Sequence, residues 1–192
     1  MSKLVFAINV SLDGCADHTV AIADDELHDF YARWMEAIGA VLFGRITYQL
    51  LESYWPQAPE DPHSTPSEVA FAGAINAVPK VVFSKTLREV SWNNTRLVNG
   101  DMVKEVARLK QEGGKAMSVG GISLIRTLLN LGMIDEYWLL IHPLIWGQGR
   151  RLFEGVTERH AARLADSMIF RSGVVVLHYI PVREKDRKKG IE

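Results

Sequence analysis

The sequence has little of what marks several common protein classes. Its single cysteine, Cys15, excludes an internal disulfide and any metal site built from several thiolates. No apolar run reaches the roughly 18 residues of a membrane-spanning helix, and the N-terminal segment lacks a signal-peptide layout. Lys and Arg number 22 against 23 Asp and Glu, so no charge excess favours nucleic acid or a membrane surface. These absences predict a cytoplasmic protein with neither of those partners.

Several catalytic motifs are absent as well. The glycines match neither the Gly-x-Gly-x-x-Gly fingerprint nor the P-loop pattern, and no Gly-x-Ser-x-Gly elbow occurs. The six histidines are far apart, form no His-Glu-x-x-His motif, and are not part of a zinc deaminase signature. The sequence therefore argues against a P-loop ATPase and a hydrolase of the elbow type, and we expect no metal site.

What the sequence does contain is an alternation of short apolar runs with segments of helical periodicity. The predicted strands are 3–12, 40–43, 79–84, 95–99, 115–119 and 135–146, and the predicted helices are 24–39, 44–55, 67–77, 100–114 and 121–133. The last two strand-like segments, 159–170 and 173–182, predict an antiparallel hairpin that turns at Ser172-Gly173. Because such alternation favours parallel strands, we predict an α/β protein with a mixed, mostly parallel sheet.

The chain shows no internal repeat and no linker, which predicts a single domain over residues 1–182. The remaining segment, 183–192, is charged and poor in apolar residues, and is expected to be a flexible tail. The stretch Trp55–Pro66 holds four of the seven prolines and is predicted to be a loop. It is a candidate lid over a ligand or a plain surface connection, and the sequence favours neither.

Two predicted strand-to-helix turns contain glycine, at Gly44 and at Gly120-Gly121. Ligands of open α/β sheets bind at the carboxyl ends of strands, where helix N-termini offer unpaired N–H groups to phosphates. Arg45 directly follows Gly44 and has the guanidinium that clamps phosphates, while Ser84 and Lys85 follow the third strand at the same edge. Each feature has a structural alternative. The glycines could serve close helix–sheet packing, Arg45 could form a surface ion pair, and Ser84 and Lys85 could belong to an ordinary turn. The two glycine turns together favour a ligand.

An acidic cluster, Asp24-Asp25-Glu26, opens the first predicted helix. A carboxylate at this place is able to donate or relay a proton. The same residues also complement the positive end of the helix dipole, and this structural role accounts for at least two of the three.

The motifs VSLDG, LFGRITY, VFSKTL, SVGGISLIRTLL and HPLIWGQGRRLFEG, in this order, resemble the dihydrofolate reductase superfamily. The closer resemblance is to its branch related to the reductase domain of bacterial riboflavin biosynthesis, and it extends from about Lys3 to Pro181. It implies a dihydrofolate reductase-like three-layer sandwich and an NADPH-dependent reductase. The Trp-x-x-Pro approach of true dihydrofolate reductases is replaced by TVAIADDE, which argues against folate binding.

By position, the resemblance implies that Gly44, Arg45 and Thr47 hold the cofactor pyrophosphate and the adenosine 2′-phosphate. Ser84 and Lys85 match the segment beside the adenine ribose.

Gly120 and Gly121 match the glycine pair of the family, whose peptide bond is often cis, and Ser123 and Leu124 continue the pyrophosphate turn. The resemblance also implies that Asn9 falls where backbone groups of the first strand usually meet the nicotinamide carboxamide.

The acidic catalytic residue of the family falls best on Glu26, with Asp25 one position away. The implied reaction is hydride transfer from NADPH to a C=N or C=O carbon of a small heterocyclic or sugar-derived substrate, similar to that of 5-amino-6-(5-phosphoribosylamino)uracil reductase. The deaminase domain of the bifunctional riboflavin enzymes is not in this sequence, so we expect a stand-alone reductase. A homodimer is usual for this branch, and hydrophobic surface on 135–146 would suit one.

Three alternatives remain open: reduction of a pterin, a nucleotide-binding module of the same fold without catalysis, and binding of another nucleotide such as a flavin.

Overall fold

The computed structural model describes residues 1–182, which form an eight-stranded sheet flanked by helices. The strands are β1 (Leu4–Ser11), β2 (Ala40–Gly44), β3 (Lys80–Phe83), β4 (Thr95–Val98), β5 (Met117–Gly120), β6 (Glu136–His142), β7 (Ala162–Ile169) and β8 (Val175–Pro181). The helices are α1 (Asp25–Ala37), α2 (Arg45–Glu52), α3 (Pro66–Ala77), α4 (Met102–Glu112) and α5 (Ile122–Asn130), with short 3-10 turns at His18–Val20 and Ala58–Glu60. The expected tail, 183–192, lies outside the described residues.

The strand order is β4-β3-β2-β5-β1-β6-β8-β7. The first six strands in this order pair in parallel, whereas β8 pairs antiparallel with both β6 and β7. The predicted mixed sheet with a C-terminal antiparallel hairpin is therefore confirmed. Its physical basis is the one predicted from the sequence: helical crossovers permit parallel neighbours, and the short turn at Ser172-Gly173 permits only an antiparallel one.

Helices cover both faces of the sheet. On one face, α4 and α5 pack through Val106 and a stripe of α5 that includes Ile125 and Leu128. On the other face, α1 packs through Phe30 and Met35, with α3 beside it. This helix–sheet–helix arrangement is the predicted three-layer sandwich. Within residues 1–182, no helix is both long and apolar enough to cross a membrane.

The proline-rich segment Trp55–Pro66 is anchored to the α1–α3 layer. The Trp55 ring contacts the Phe71 ring edge-on at a centroid distance of 4.5 Å, and Ala58 is buried. Thr65 and Glu68 form a reciprocal capping box at the start of α3. These contacts favour a surface connection over a lid.

Candidate functional site

The topology creates a crevice between β1 and β5. From β1 the chain crosses β5 through α1 to reach β2, and from β5 it crosses β1 through α5 to reach β6. The two connections leave in opposite directions on opposite faces, which is the switch point where open α/β sheets bind ligands beyond the carboxyl ends of their strands.

The helices that start beside this crevice lack side-chain N-caps, unlike the other three. Asp24 caps α1 by accepting from Leu27 N, Thr65 caps α3, and Asp101 caps α4. Gly44 and Gly121 stand at the N-caps of α2 and α5, and neither helix has a side-chain cap hydrogen bond. Since the first N–H groups of a helix have no intrahelical acceptor, both ends can bind an anion through their backbone.

The two glycine turns are in direct contact. A Cβ added at Gly120 would lie 2.8 Å from Phe43 Cε1, and one at Gly121 would lie 2.5 Å from Thr47 Oγ1. Gly121 also has φ +99°, which favours glycine. Close packing, the alternative recognised from the sequence, therefore explains this pair, and it fixes the two turns side by side.

Gly44 differs from the pair because a Cβ there would have no atom within 4 Å and its backbone is extended, with φ −81°. Packing does not require glycine at this position, so the open space above the N-terminus of α2 is available to a ligand. The cis peptide implied for Gly120-Gly121 is not observed: residues 1–182 contain no cis peptide bond.

The predicted phosphate-binding side chains lie at the carboxyl edge of the sheet, but they differ in exposure and in the hydrogen bonds that they already form. Arg45 is exposed and donates from Nη1 to Gln49 Oε1 at 3.1 Å. Ser84 Oγ accepts from Thr86 N and Leu87 N at 3.1 and 3.0 Å, which is ordinary turn chemistry. Lys85 is exposed.

The predicted pyrophosphate turn continues into the first turn of α5. Ser123 is exposed there, but Leu124 is buried in the core below α5. Leu124 is therefore able to contact a ligand through its backbone N–H but not through its side chain.

Asn9 lies in the crevice beside a histidine that the sequence analysis did not single out. The side chain of His142, at the end of β6, is fully buried. Its Nδ1 accepts from Ile22 N at 3.0 Å and its Nε2 lies 3.1 Å from Asn9 Oδ1. Burial lowers the pKa of His142. One signal in the sequence could have found it, namely a polar residue ending an apolar run at the carboxyl edge.

Each carboxylate at the start of α1 has a structural partner. Asp25 Oδ1 accepts from Ser67 Oγ at 2.5 Å, which joins α1 to α3. Glu26 Oε2 accepts from Arg171 N at 2.8 Å, which joins α1 to the turn between β7 and β8. With Asp24 as the N-cap, helix-end and tertiary contacts account for all three residues. The catalytic roles of Asp25 and Glu26 stay predictions.

Comparison with known proteins supplies the family. Residues 2–176 match the model of the RibD C-terminal domain. The chain belongs to the RibD C-terminal domain family. Over 181 residues it is 32% identical to Uncharacterized protein YyaP of Bacillus subtilis, with 92% of this chain and 94% of YyaP covered.

Solved structures agree with the fold of this RibD C-terminal domain. RibD of Acinetobacter baumannii superposes with a TM-score of 0.70 at 18% identity, over 95% of this chain and 59% of that protein. A pyrimidine reductase-like protein of Corynebacterium diphtheriae superposes with a TM-score of 0.65 at 17% identity, over 95% and 93%. The fold is that of the dihydrofolate reductase-like, riboflavin-type branch, as the sequence motifs indicated.

The expectation of a hydrophobic dimer surface on residues 135–146 stays a prediction. β6 lies between β1 and β8 and so has no free edge, while Ile145, just after β6, is exposed. The exposed strand is β7, in which every residue from Ala162 to Ile169 is exposed. Sequence patterns predict strands well, but the order of strands in a sheet depends on long-range pairing that a local pattern does not encode.

Proposed function

We propose that this RibD C-terminal domain is an NADPH-dependent reductase. Its substrate would be a small heterocyclic or sugar-derived compound, similar to that of 5-amino-6-(5-phosphoribosylamino)uracil reductase. The observation that carries the proposal is the pair of uncapped helix N-termini, at Gly44 and Gly121, which stand together beside the β1–β5 crevice. Family membership then selects a reductase among the ligand-binding functions that such a crevice permits.

The chain has the groups that a dinucleotide phosphate requires. The backbone N–H groups of α2 and α5 would bind the pyrophosphate, and the open space at Gly44 would allow close approach. Arg45 would bind the 2′-phosphate with its exposed guanidinium, assisted by Lys85. The backbone of Ser84 would lie beside the adenosine, because its hydroxyl already serves its own turn.

When bound, NADPH supplies the hydride. The contribution of the protein is to hold the two reactants in contact and to exclude water. On the face of the sheet that α1 covers, the Phe30 ring lies 6.0 Å from that of Trp34, which lies 5.4 Å from that of Trp138, measured between centroids. This apolar layer would help to exclude water. Glu26 would supply the proton, directly or through a water molecule, and Asp25 is the next candidate.

A turnover assay tests the proposal. The purified chain is mixed with NADPH and, in separate reactions, 5-amino-6-(5-phosphoribosylamino)uracil and dihydrofolate, and NADPH oxidation is followed by absorbance. Oxidation that depends on the pyrimidine supports the proposal, whereas oxidation with dihydrofolate alone would instead make the chain a pterin reductase. Tight NADPH binding without oxidation in either reaction would favour the non-catalytic module.

The proton donor has its own test. Glu26→Gln should lower the rate and remove the fall in rate that accompanies deprotonation of this carboxyl group as pH rises, because the amide cannot donate a proton. An unchanged profile would move the role to Asp25, whose Asp25→Asn variant is the matched comparison.

We also propose that two copies associate through β7. Leu164, Met168 and Ile169 are exposed apolar residues on this edge strand. Arg163 pairs with Ile180 and Asp166 with His178, so the bulge between them leaves both charges on one face. Antiparallel pairing of two β7 strands about an axis between residues 164 and 165 would set Arg163 opposite Asp166 of the partner subunit, twice. This charge complementarity supports a second copy as the occupant.

A further inference from the structure

The pair of Asn9 and His142 is the polar feature of the crevice with the most constrained geometry. Both side chains lie on the face of the sheet that α1 covers, because His142 follows Leu140 by two residues and Leu140 is the register partner of Asn9. His142 is fully buried, yet both of its ring nitrogens have partners at 3.0 and 3.1 Å. Such a buried histidine is held by its hydrogen bonds in one orientation.

The backbone partner fixes the tautomer of His142. Ile22 N can only donate a hydrogen bond, so Nδ1 must carry the lone pair. The neutral ring then carries its proton on Nε2, which donates to Asn9 Oδ1. The reverse orientation of the Asn9 amide would place its NH2 group against this N–H, donor against donor. The Asn9 carbonyl therefore faces His142, and the Nδ2 amide group faces away from it.

The Nδ2 group has an open side. Leu4 and Val5 of β1 pair with Met117 and Ser118 of β5, and this register continued by two residues sets Gly120 opposite Ala7. Since β5 ends at Gly120, Asn9 lies beyond the end of that strand. No residue among 1–182 accepts from Asn9 Nδ2, and this atom is not among the buried polar atoms without partners. It is a donor that reaches solvent inside the crevice.

We propose that His142 is a positioning residue that fixes the Asn9 amide so that Nδ2 donates to an uncharged acceptor oxygen of the bound ligand, of the carboxamide or ring-carbonyl type. The inference rests on the proposed function for the identity of the ligand, though not for the tautomer. A carboxamide oxygen would come from the nicotinamide of the cofactor and a ring carbonyl from the substrate. A ligand that presents an N–H at this point would face donor against donor and bind weakly.

Two variants of His142 separate positioning from packing. In His142→Gln, the side-chain oxygen can accept from Ile22 N and the NH2 group can donate to Asn9 Oδ1, so the function of the ring is retained. His142→Leu keeps an apolar side chain but provides neither bond. If the acceptor is the nicotinamide carboxamide, NADPH affinity should fall about tenfold in His142→Leu and recover to within about threefold of wild type in His142→Gln; if it is a ring carbonyl, affinity for the pyrimidine probe should change in this way instead.

A double-mutant cycle supplies the decisive comparison. Asn9→Leu should weaken ligand binding by about tenfold or more, and adding His142→Leu should weaken it no further, because His142 acts only through Asn9. Equal losses from His142→Leu with and without Asn9 would show a structural role and overturn the proposal. Melting temperatures of all variants check that each one folds.

The source of the acceptor is found by running the cycle with two probes. NADPH and its thionicotinamide analogue, in which sulfur replaces the carboxamide oxygen, report on the cofactor. The pyrimidine 5,6-diaminouracil, added to the NADPH-saturated protein, reports on a ring carbonyl. Dependence on Asn9 and His142 with either probe supports the proposal and names the source, and dependence with neither overturns it.

Nitrogen-15 NMR of the histidine ring tests the tautomer without any ligand. The proposal requires a protonated Nε2 and an unprotonated Nδ1 in His142, and the opposite tautomer would contradict it. Because this measurement does not depend on NADPH, failure of the proposed reductase function and failure of the positioning role give different results.

Discussion

Arg45 is the residue on which cofactor choice depends in this account. It is the first residue of α2, and among residues 1–182 its guanidinium has one hydrogen-bond partner, Gln49. Arg45→Ala should weaken NADPH binding about tenfold or more and leave NADH binding nearly unchanged, because charge-assisted bonds to a phosphate are worth about 1.5–3 kcal/mol. Fluorescence titration with both nucleotides measures this, with exposed Arg33→Ala as the control. Equal losses for NADPH and NADH would remove Arg45 from the 2′-phosphate site.

Asp13 shapes the crevice from the loop that follows β1. Its carboxylate accepts from Ser11 Oγ, Trp146 N and Gly147 N, and these bonds hold the pKa of Asp13 well below its ordinary value of 3.8. A folded-state pKa below the unfolded value stabilises the fold above that unfolded value, and the stabilisation is lost as pH falls below it. The contacts tie the end of β1 to the segment after β6.

Asp13→Asn should therefore be less stable than the wild type near neutral pH, and the difference should shrink as pH falls below about 4. Urea unfolding midpoints from about pH 7 to about pH 3 measure it, with exposed Asp29→Asn as the control for removal of a carboxylate. A stability difference that does not change with pH would show that these hydrogen bonds do not favour the ionised form of Asp13.

Single residues were predicted from the sequence with mixed success. Gly44 and Arg45 lie at the strand-to-helix turn that the sequence predicted, because local patterns determine where a strand ends and a helix begins. His142 was missed because its significance comes from Asn9 and Ile22, which are 133 and 120 residues away in the sequence. The partners of Asp25 and Glu26 were missed for the same reason, since Ser67 and Arg171 reach them only through the tertiary fold.

At the scale of elements, the turns at the starts of α2 and α5 predict opposite behaviour for two glycines. Gly121→Ala should destabilise the protein by about 1–3 kcal/mol, because the added Cβ would meet Thr47 Oγ1 and the backbone has a positive φ. Gly44→Ala should leave the free energy of unfolding within about 1 kcal/mol of wild type, since its Cβ would enter open space.

Cofactor binding should separate the same two variants. If NADPH phosphates approach the backbone at Gly44, Gly44→Ala will lower NADPH affinity by about tenfold without loss of stability. Chemical denaturation and fluorescence titration of both variants measure the two effects. A Gly44→Ala protein that binds NADPH like the wild type would place the phosphates elsewhere.

The elements themselves could be predicted well. Apolar periodicity and punctuation by Gly, Pro and Asp recovered the helices and strands because each signal is local, as in the Asp101 cap of α4. What the sequence could not supply was their arrangement. That β6 lies inside the sheet and β7 at its edge follows from pairing between distant segments, which no local pattern encodes.

At the scale of the whole molecule, the association through β7 predicts a charge-swap result. Arg163→Asp should shift the chain toward monomer, because it sets like charges opposite each other twice across the two-fold axis. The double variant Arg163→Asp, Asp166→Arg should restore the dimer. Analytical ultracentrifugation measures this, with Arg33→Asp as the control. A wild-type monomer, or a dimer insensitive to both changes, would contradict the association through β7.

We propose above all that the crevice between β1 and β5 binds a 2′-phosphorylated dinucleotide. The most direct measurement is parallel titration of the chain with NADPH and NADH at one ionic strength, followed by quenching of its five tryptophans. Trp34 and Trp138 pack against each other on the face of the sheet that α1 covers, the same face as Asn9. We expect saturable quenching with NADPH at an affinity about tenfold or more above that for NADH. Binding of neither nucleotide, or equal binding of both, would contradict it.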